Sequence, residues 1–149
     1  MNTTRQTELL AWSDALVLGF GPIDTEHEEF VELVRALQQA ADEALPALLD
    51  AFETHAQAHF GAEDQWMVET DFPARECHMN EHTAVLATVR GVRAKLWAGD
   101  CLAARRLADE LARWFPGHAA YLDSALAHWM CKRSLGGKPV VLRRSLQMP

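Results

Sequence analysis

Little in this sequence points toward a membrane or an oxidising compartment. The opening Met1-Asn2-Thr3-Thr4-Arg5-Gln6-Thr7 lacks the basic-then-apolar pattern of a secretory signal. No apolar run approaches the roughly 20 residues that a bilayer-spanning helix needs. Cysteine is scarce: Cys77, Cys101 and Cys131 are odd in number, widely spaced and form no Cys-x-x-Cys pair, which argues against a zinc ribbon or a redox motif. Three half-buried free thiols in a reducing setting are the expectation. Glycine (8) and proline (6) are few among 149 residues, whereas alanine and leucine are plentiful, which favours helices. Strand-like alternation, sequence repeats and low-complexity segments are missing too. A soluble, cytoplasmic, all-α single domain is expected, large enough to bury a sizeable core.

Positive charge is scarce as well, except at one end. Residues 131–149 carry Lys132, Arg133, Lys138, Arg143 and Arg144 and no acid, which leaves −12 on the remainder against a total of −7. An acidic body argues against a nucleic-acid-binding surface. The basic tail is expected to be solvated or docked on its own chain. The sequence identifies no particular protein partner, and a monomer is expected.

What is present is helical periodicity. Residues 1–21 form an arm without a clear repeat, in which Trp12 is expected to anchor to the core. Helices are then predicted from about Pro22 to Ala41, Pro46 to Glu69, Ala74 to Trp97, and from Gly99-Asp100 to about Gly136, with the first two opened by first-turn prolines. Their apolar seams, with steps of three and four, run Ile23, His27, Phe30, Val34, Leu37, Ala41; then Leu45, Leu49, Phe52, Ala56, His59, Glu63, Trp66; then His78, His82, Val85, Val89, Val92, Leu96; then Leu107, Leu111, Trp114, His118, Leu122, Ala125, Trp129. Four such helices with short loops predict an up-down-up-down four-helix bundle. The arm is taken as 1–21, the bundle as about 22–133 and the tail as about 134–149.

Each seam is broken by residues that bind metals. A polar side chain in a core costs stability unless it is paired or ligated, yet the seams hold His27, His59, Glu63, His78, His82 and His118, with Asp123 beside them. Each helical residue rises about 1.5 Å, so heights can be compared. His27 and His59 lie equally far from a turn placed at residue 43. The His78–His82 midpoint and His118 lie equally far from a turn at residue 99. About the turn near residue 72, the mismatch is at most about one helical turn. The polar groups therefore fall at one level. Five imidazoles and two bridging carboxylates offer too many donors for one metal but suit two. Such ligands suit iron and also accept manganese, zinc or cobalt.

The motifs His27, His59-Phe60-Gly61-Ala62-Glu63, His78-Met79-Asn80-Glu81-His82 and His118-Ala119-Ala120-Tyr121-Leu122-Asp123 resemble, in order and spacing, those of the hemerythrins, over about residues 12 to 130. The resemblance implies two iron ions per chain with a bridging oxo or hydroxo group and no haem. It implies that Glu63 and Asp123 bridge the irons and that His78, His82 and His118 complete one of them. His27 and His59 would hold the other, which keeps an open position for reversible O2 binding, in storage, delivery or sensing. Phe60, Trp114 and Phe115 are the candidates to line the O2 pocket. Binding rather than turnover is implied, with no catalytic residue.

Two features depart from the pattern. Pro116-Gly117 sits just before His118, where proline removes a backbone donor and kinks a helix. His55 stands one turn before His59 and is expected to pack near the site rather than bind metal; His128 is expected at the surface or as a cap. Two other readings use the same residues. One is a di-iron oxidase or a peroxide- or NO-handling enzyme, although the Glu-x-x-His motif of ferritin-like enzymes is missing. The other is a redox or metal sensor acting through a partner, contacted by the arm or the tail.

Overall fold

The computed structural model describes residues 7–134. Four long helical segments follow one another: α1 (Gly21–Gln39), α2 (Leu45–Glu69), α3 (Arg75–Trp97) and α4 (Cys101–His118). A π-helical turn, Ala119–Asp123, links α4 to a final helix, α5 (Ser124–Ser134). α1 packs against α2 and α4, and α3 packs against the same two, so neighbours in sequence are neighbours around the bundle. The protein is an all-α four-helix bundle. Among the described residues, no helix is long and apolar enough to cross a membrane.

Local chemistry sets the ends of these elements. Pro22 and Pro46 lie in the first turns of α1 and α2, where a missing N–H costs nothing. The Asp24 carboxylate accepts from the backbone N–H groups of Leu18 (2.7 Å) and Gly19 (3.0 Å) and so ties the arm to α1. Gly99, at φ 98°, turns the chain between α3 and α4, and the Asp100 carboxylate caps α4 by accepting from Ala103 N–H, as favoured at this position. Trp12 packs against the main apolar cluster, as the arm requires.

The core is in two parts. The larger contains Phe30, Val34, Leu49, Phe52, Phe60 and Phe115. The smaller contains Ile23, Met67, Phe72, Leu126 and Met130. Along α1, His27 falls between Ile23 of the small cluster and Phe30 of the large one. Along α2, Glu63 falls between Phe60 and Met67. Asp123 falls between Ala119 and Leu126. The polar seam residues thus form one layer between two apolar ones.

The fourth seam departs from expectation after His118. Steady α-periodicity calls for Leu122, Ala125 and Trp129 on the inner face. Instead Asp123, Leu126, Ala127, Met130 and Cys131 are buried, Ala125 is exposed, and Leu122 and Trp129 are only partly covered. The π-turn adds a residue to one turn of helix and moves the seam on by about one position. α1 ends at Gln39 rather than near Ala41, with a 3₁₀ turn at Asp42–Ala44 before α2. The cysteines are free but not alike: Cys77 is exposed, Cys101 intermediate and Cys131 buried. In the tail, Lys138, Arg143 and Arg144 lie outside the described residues.

Candidate metal centre

Every long segment sends side chains to the polar layer. α1 supplies His27, α2 His59 and Glu63, α3 His78 and His82, the end of α4 His118, and the π-turn Asp123. All seven are buried, with His27, Glu63, His78 and Asp123 fully enclosed. The i, i+4 pairs on α2 and α3 follow from helix geometry. The pair His118–Asp123 does not, because residues five apart on an α-helix diverge by about 140°. The π-turn closes that gap. Ser124 N–H bonds to Ala119 C=O, five residues back, and Asp123 Oδ1 comes to 3.2 Å from His118 Nε2. Pro116, inside α4, removes one backbone donor just before the widened turn.

The donors fall into two groups that share Glu63. One atom each from Glu63, His78, His82, His118 and Asp123 lie within 4.8 Å of one another, and so do atoms from His27, His59 and Glu63. Glu63 Oε1 is 3.7 Å from His59 Nε2 and 3.9 Å from His82 Nε2. Asp123 faces both groups, with Oδ2 at 2.9 Å from His27 Nε2 and Oδ1 at 2.9 Å from His78 Nε2. These close approaches lack hydrogen-bond geometry. His27 Nε2, His78 Nε2, His82 Nε2, His118 Nε2 and all four carboxylate oxygens of Glu63 and Asp123 are buried without a hydrogen-bond partner.

The electrostatics of these protein groups are correspondingly unbalanced. Burial, and then the charge of Asp123, pushes the Glu63 carboxyl well above its usual range. Burial pushes Asp123 the same way, but the imidazoles of His118, His27 and His78 outweigh it and hold Asp123 well below the carboxylate range. Burial, reinforced by His27, lowers His59 to about 2; burial likewise lowers His82. For His118, burial is overcome by Asp123 and Glu81, and its pKa rises. Orphaned nitrogens beside orphaned carboxylate oxygens are costly in a dry interior. Cations bound by both groups would satisfy them together, and the imidazole–carboxylate donor set fits iron.

Aromatic rings close the layer. Phe60 stacks on His82 at 4.1 Å, Phe115 meets His27 edge-on at 5.0 Å, and Trp114 stacks on His118 at 4.3 Å. Phe60 and Phe115 are buried, whereas Trp114 is partly exposed and lines a cleft of about 310 Å³ between α3 and α4 with Val85, Leu107, Leu111 and Glu81. Sequence reasoning left Phe30 out of the pocket, although it stacks on Phe115 at 4.8 Å and lies 6.4 Å from His59. It also passed over Asp64 and Glu81, whose carboxylates each lie 2.8 Å from an outward-facing imidazole nitrogen, on His82 and His118. Their only sequence signal is position, directly after Glu63 and directly before His82. His55 belongs to neither donor group. It stacks on His59 at 5.8 Å, and its Nε2 lies 3.2 Å from the Glu26 carbonyl oxygen, with the Glu26 and Glu29 carboxylates nearby. His128 is exposed.

Bundle, polar layer and paired donor groups define a helical metal-binding protein. The family model described as the hemerythrin HHE cation binding domain matches residues 19–129. A bacteriohemerythrin of Ralstonia nicotianae is 39% identical over 125 residues, covering 84% of this chain and 91% of that protein. Bacteriohemerythrins of Stenotrophomonas maltophilia and Pseudomonas aeruginosa are 28% and 26% identical, covering 80% and 81% of this chain and 84% of each relative. The chain belongs to the hemerythrin family, and with it carries a non-haem iron-binding domain.

Proposed function

We propose that this protein binds O2 reversibly at a non-haem di-iron centre held by His27, His59, Glu63, His78, His82, His118 and Asp123. The observation that carries the reading is the set of buried, unpartnered donor atoms divided into two groups with Glu63 in common. Glu63 and Asp123 would span both irons, His78, His82 and His118 would hold one, and His27 and His59 the other. When bound, the iron pair supplies the electrons and the Lewis acidity that reversible O2 capture requires.

The chain's own residues do the rest. Five imidazoles and two carboxyl groups are pre-positioned by the bundle, so little reorganisation accompanies loading. The low pKa of His59 keeps a proton from competing for its nitrogen. Phe30, Phe60 and Phe115 bury the His27–His59 side in rings and withhold water and protons there. That protection suits a ligand that must leave unchanged, and it favours binding over turnover. The two-histidine group has fewer protein donors than the other, so it is the side with room for O2.

The test combines metal analysis with spectroscopy. Two irons per chain, oxo-bridged di-iron absorption in the oxidised form and stoichiometric O2 uptake by the reduced form, reversed under vacuum, are expected. One iron per chain, or steady O2 consumption with peroxide release, would overturn the reading.

A further inference from the structure

The two donor groups differ on their outer sides. In the three-histidine group, His82 Nδ1 lies 2.8 Å from Asp64 Oδ1, and His118 Nδ1 lies 2.8 Å from Glu81 Oε1. Glu81 is itself held, because Trp114 Nε1–H donates to the same oxygen at 2.9 Å. Both carboxylates are only partly exposed. The third imidazole of the three-histidine group, His78, has its Nδ1 buried without a hydrogen-bond partner, so two of the three histidines are backed by a carboxylate. In the two-histidine group neither is. His27 Nδ1 is buried without a hydrogen-bond partner. The carboxylate oxygen of Glu26 stands 3.9 Å from His59 Nδ1, beyond hydrogen-bonding reach.

An imidazole that donates its outer N–H to a carboxylate has its tautomer fixed, with the lone pair on the inner nitrogen, and that nitrogen becomes more basic. Resting on the two-metal reading above, we propose that Asp64 and Glu81 are positioning residues that make the two metal positions unequal. The His78–His82–His118 position fills first, and the His27–His59 position fills second and more weakly. The asymmetry belongs to this chain's outer carboxylates as well as to its ligand count, since removing such a partner typically weakens metal binding about 10–100-fold.

Titration of the metal-free protein with Co(II), followed by its visible absorption, tests this. Two resolved steps are expected, with a total of two Co(II) per chain. At one equivalent, the paramagnetically shifted imidazole resonances should come from His78, His82 and His118 and not from His27 or His59. Asp64→Asn and Glu81→Gln keep the shape and remove the charge. Each should weaken the tighter step about 10–100-fold, shift its absorption bands and leave the weaker step in place. Glu26→Gln should change neither. Two steps of equal affinity, first-equivalent signals from His27 and His59, or unchanged tight binding in both variants would overturn the inference while leaving the two-metal reading intact. A total other than two per chain would overturn the reading beneath it. The resonance assignment needs only the unmodified protein, so the inference stays testable if a variant fails to fold.

Discussion

At the scale of single residues, Glu63 shows how function and stability pull apart. In the metal-free protein, burial and Asp123 raise its pKa above the ordinary 4.5. A raised carboxyl keeps its proton in the folded chain after the unfolded chain has released it. Its contribution is therefore full below about pH 4.5 and is lost as pH climbs through the folded value. Glu63→Gln removes that loss. The metal-free variant should melt above the metal-free parent at neutral pH, and the difference should shrink toward pH 4.5. It should also lose the stabilisation that metal confers on the parent. A lower neutral-pH melting temperature for the metal-free variant would contradict the assignment. His59→Ala, by contrast, should spare the three-histidine position: metal analysis should find about one metal retained per chain, without O2 uptake. Phe60 carries a packing load besides its place over His82. Phe60→Ala should cost about 3–5 kcal/mol in denaturant unfolding and speed oxidation of the reduced centre; unfolding free energy within about 1 kcal/mol of the parent would refute the packing part.

Among the elements, the π-turn is the one that periodicity did not reveal. The spacing His118-x-x-x-x-Asp123 is awkward on an α-helix, and Pro116 removes a backbone donor from the turn before it, yet neither says that the helix resumes with its face moved on. The consequence is measurable in α5. Ala125 lies outside and Leu126 is fully buried, the reverse of what an unbroken seam through Leu122, Ala125 and Trp129 requires. Ala125→Asp should change unfolding free energy by no more than about 0.5 kcal/mol. Leu126→Asp should cost several times more, because it buries a carboxylate without a partner. Equal costs would mean that the turn does not shift the face. The other helices were legible because their apolar steps of three and four match one period throughout, and because Pro22, Pro46 and Gly99 punctuate them where backbone chemistry demands.

At the scale of the whole molecule, a polar layer lies between two apolar clusters, and metal is what makes that arrangement favourable. Ligands bound only by the folded chain stabilise it, by about 2.7 kcal/mol at a free concentration one hundred times Kd. Chelation should therefore lower the melting temperature, and adding metal back should restore it; identical melts with and without metal would contradict the account. Family, fold class and the level at which His27, His59, Glu63, His78, His82 and His118 meet were readable from sequence, because helix rise and the i, i+4 repeat are local rules. Asp123 was legible only as a neighbour of the fourth seam, and its approach to His118 depends on the π-turn. Asp64, Glu81 and Phe30 were hidden for a different reason: each sits one position off, or one helix away from, the residue it serves. The sequence by itself determined which donors the bundle would bring inward and at what height. Only the tertiary structure decided which imidazoles are backed from outside and which rings cover them, because those are contacts between helices, and no spacing along one helix encodes the rotation of its neighbour.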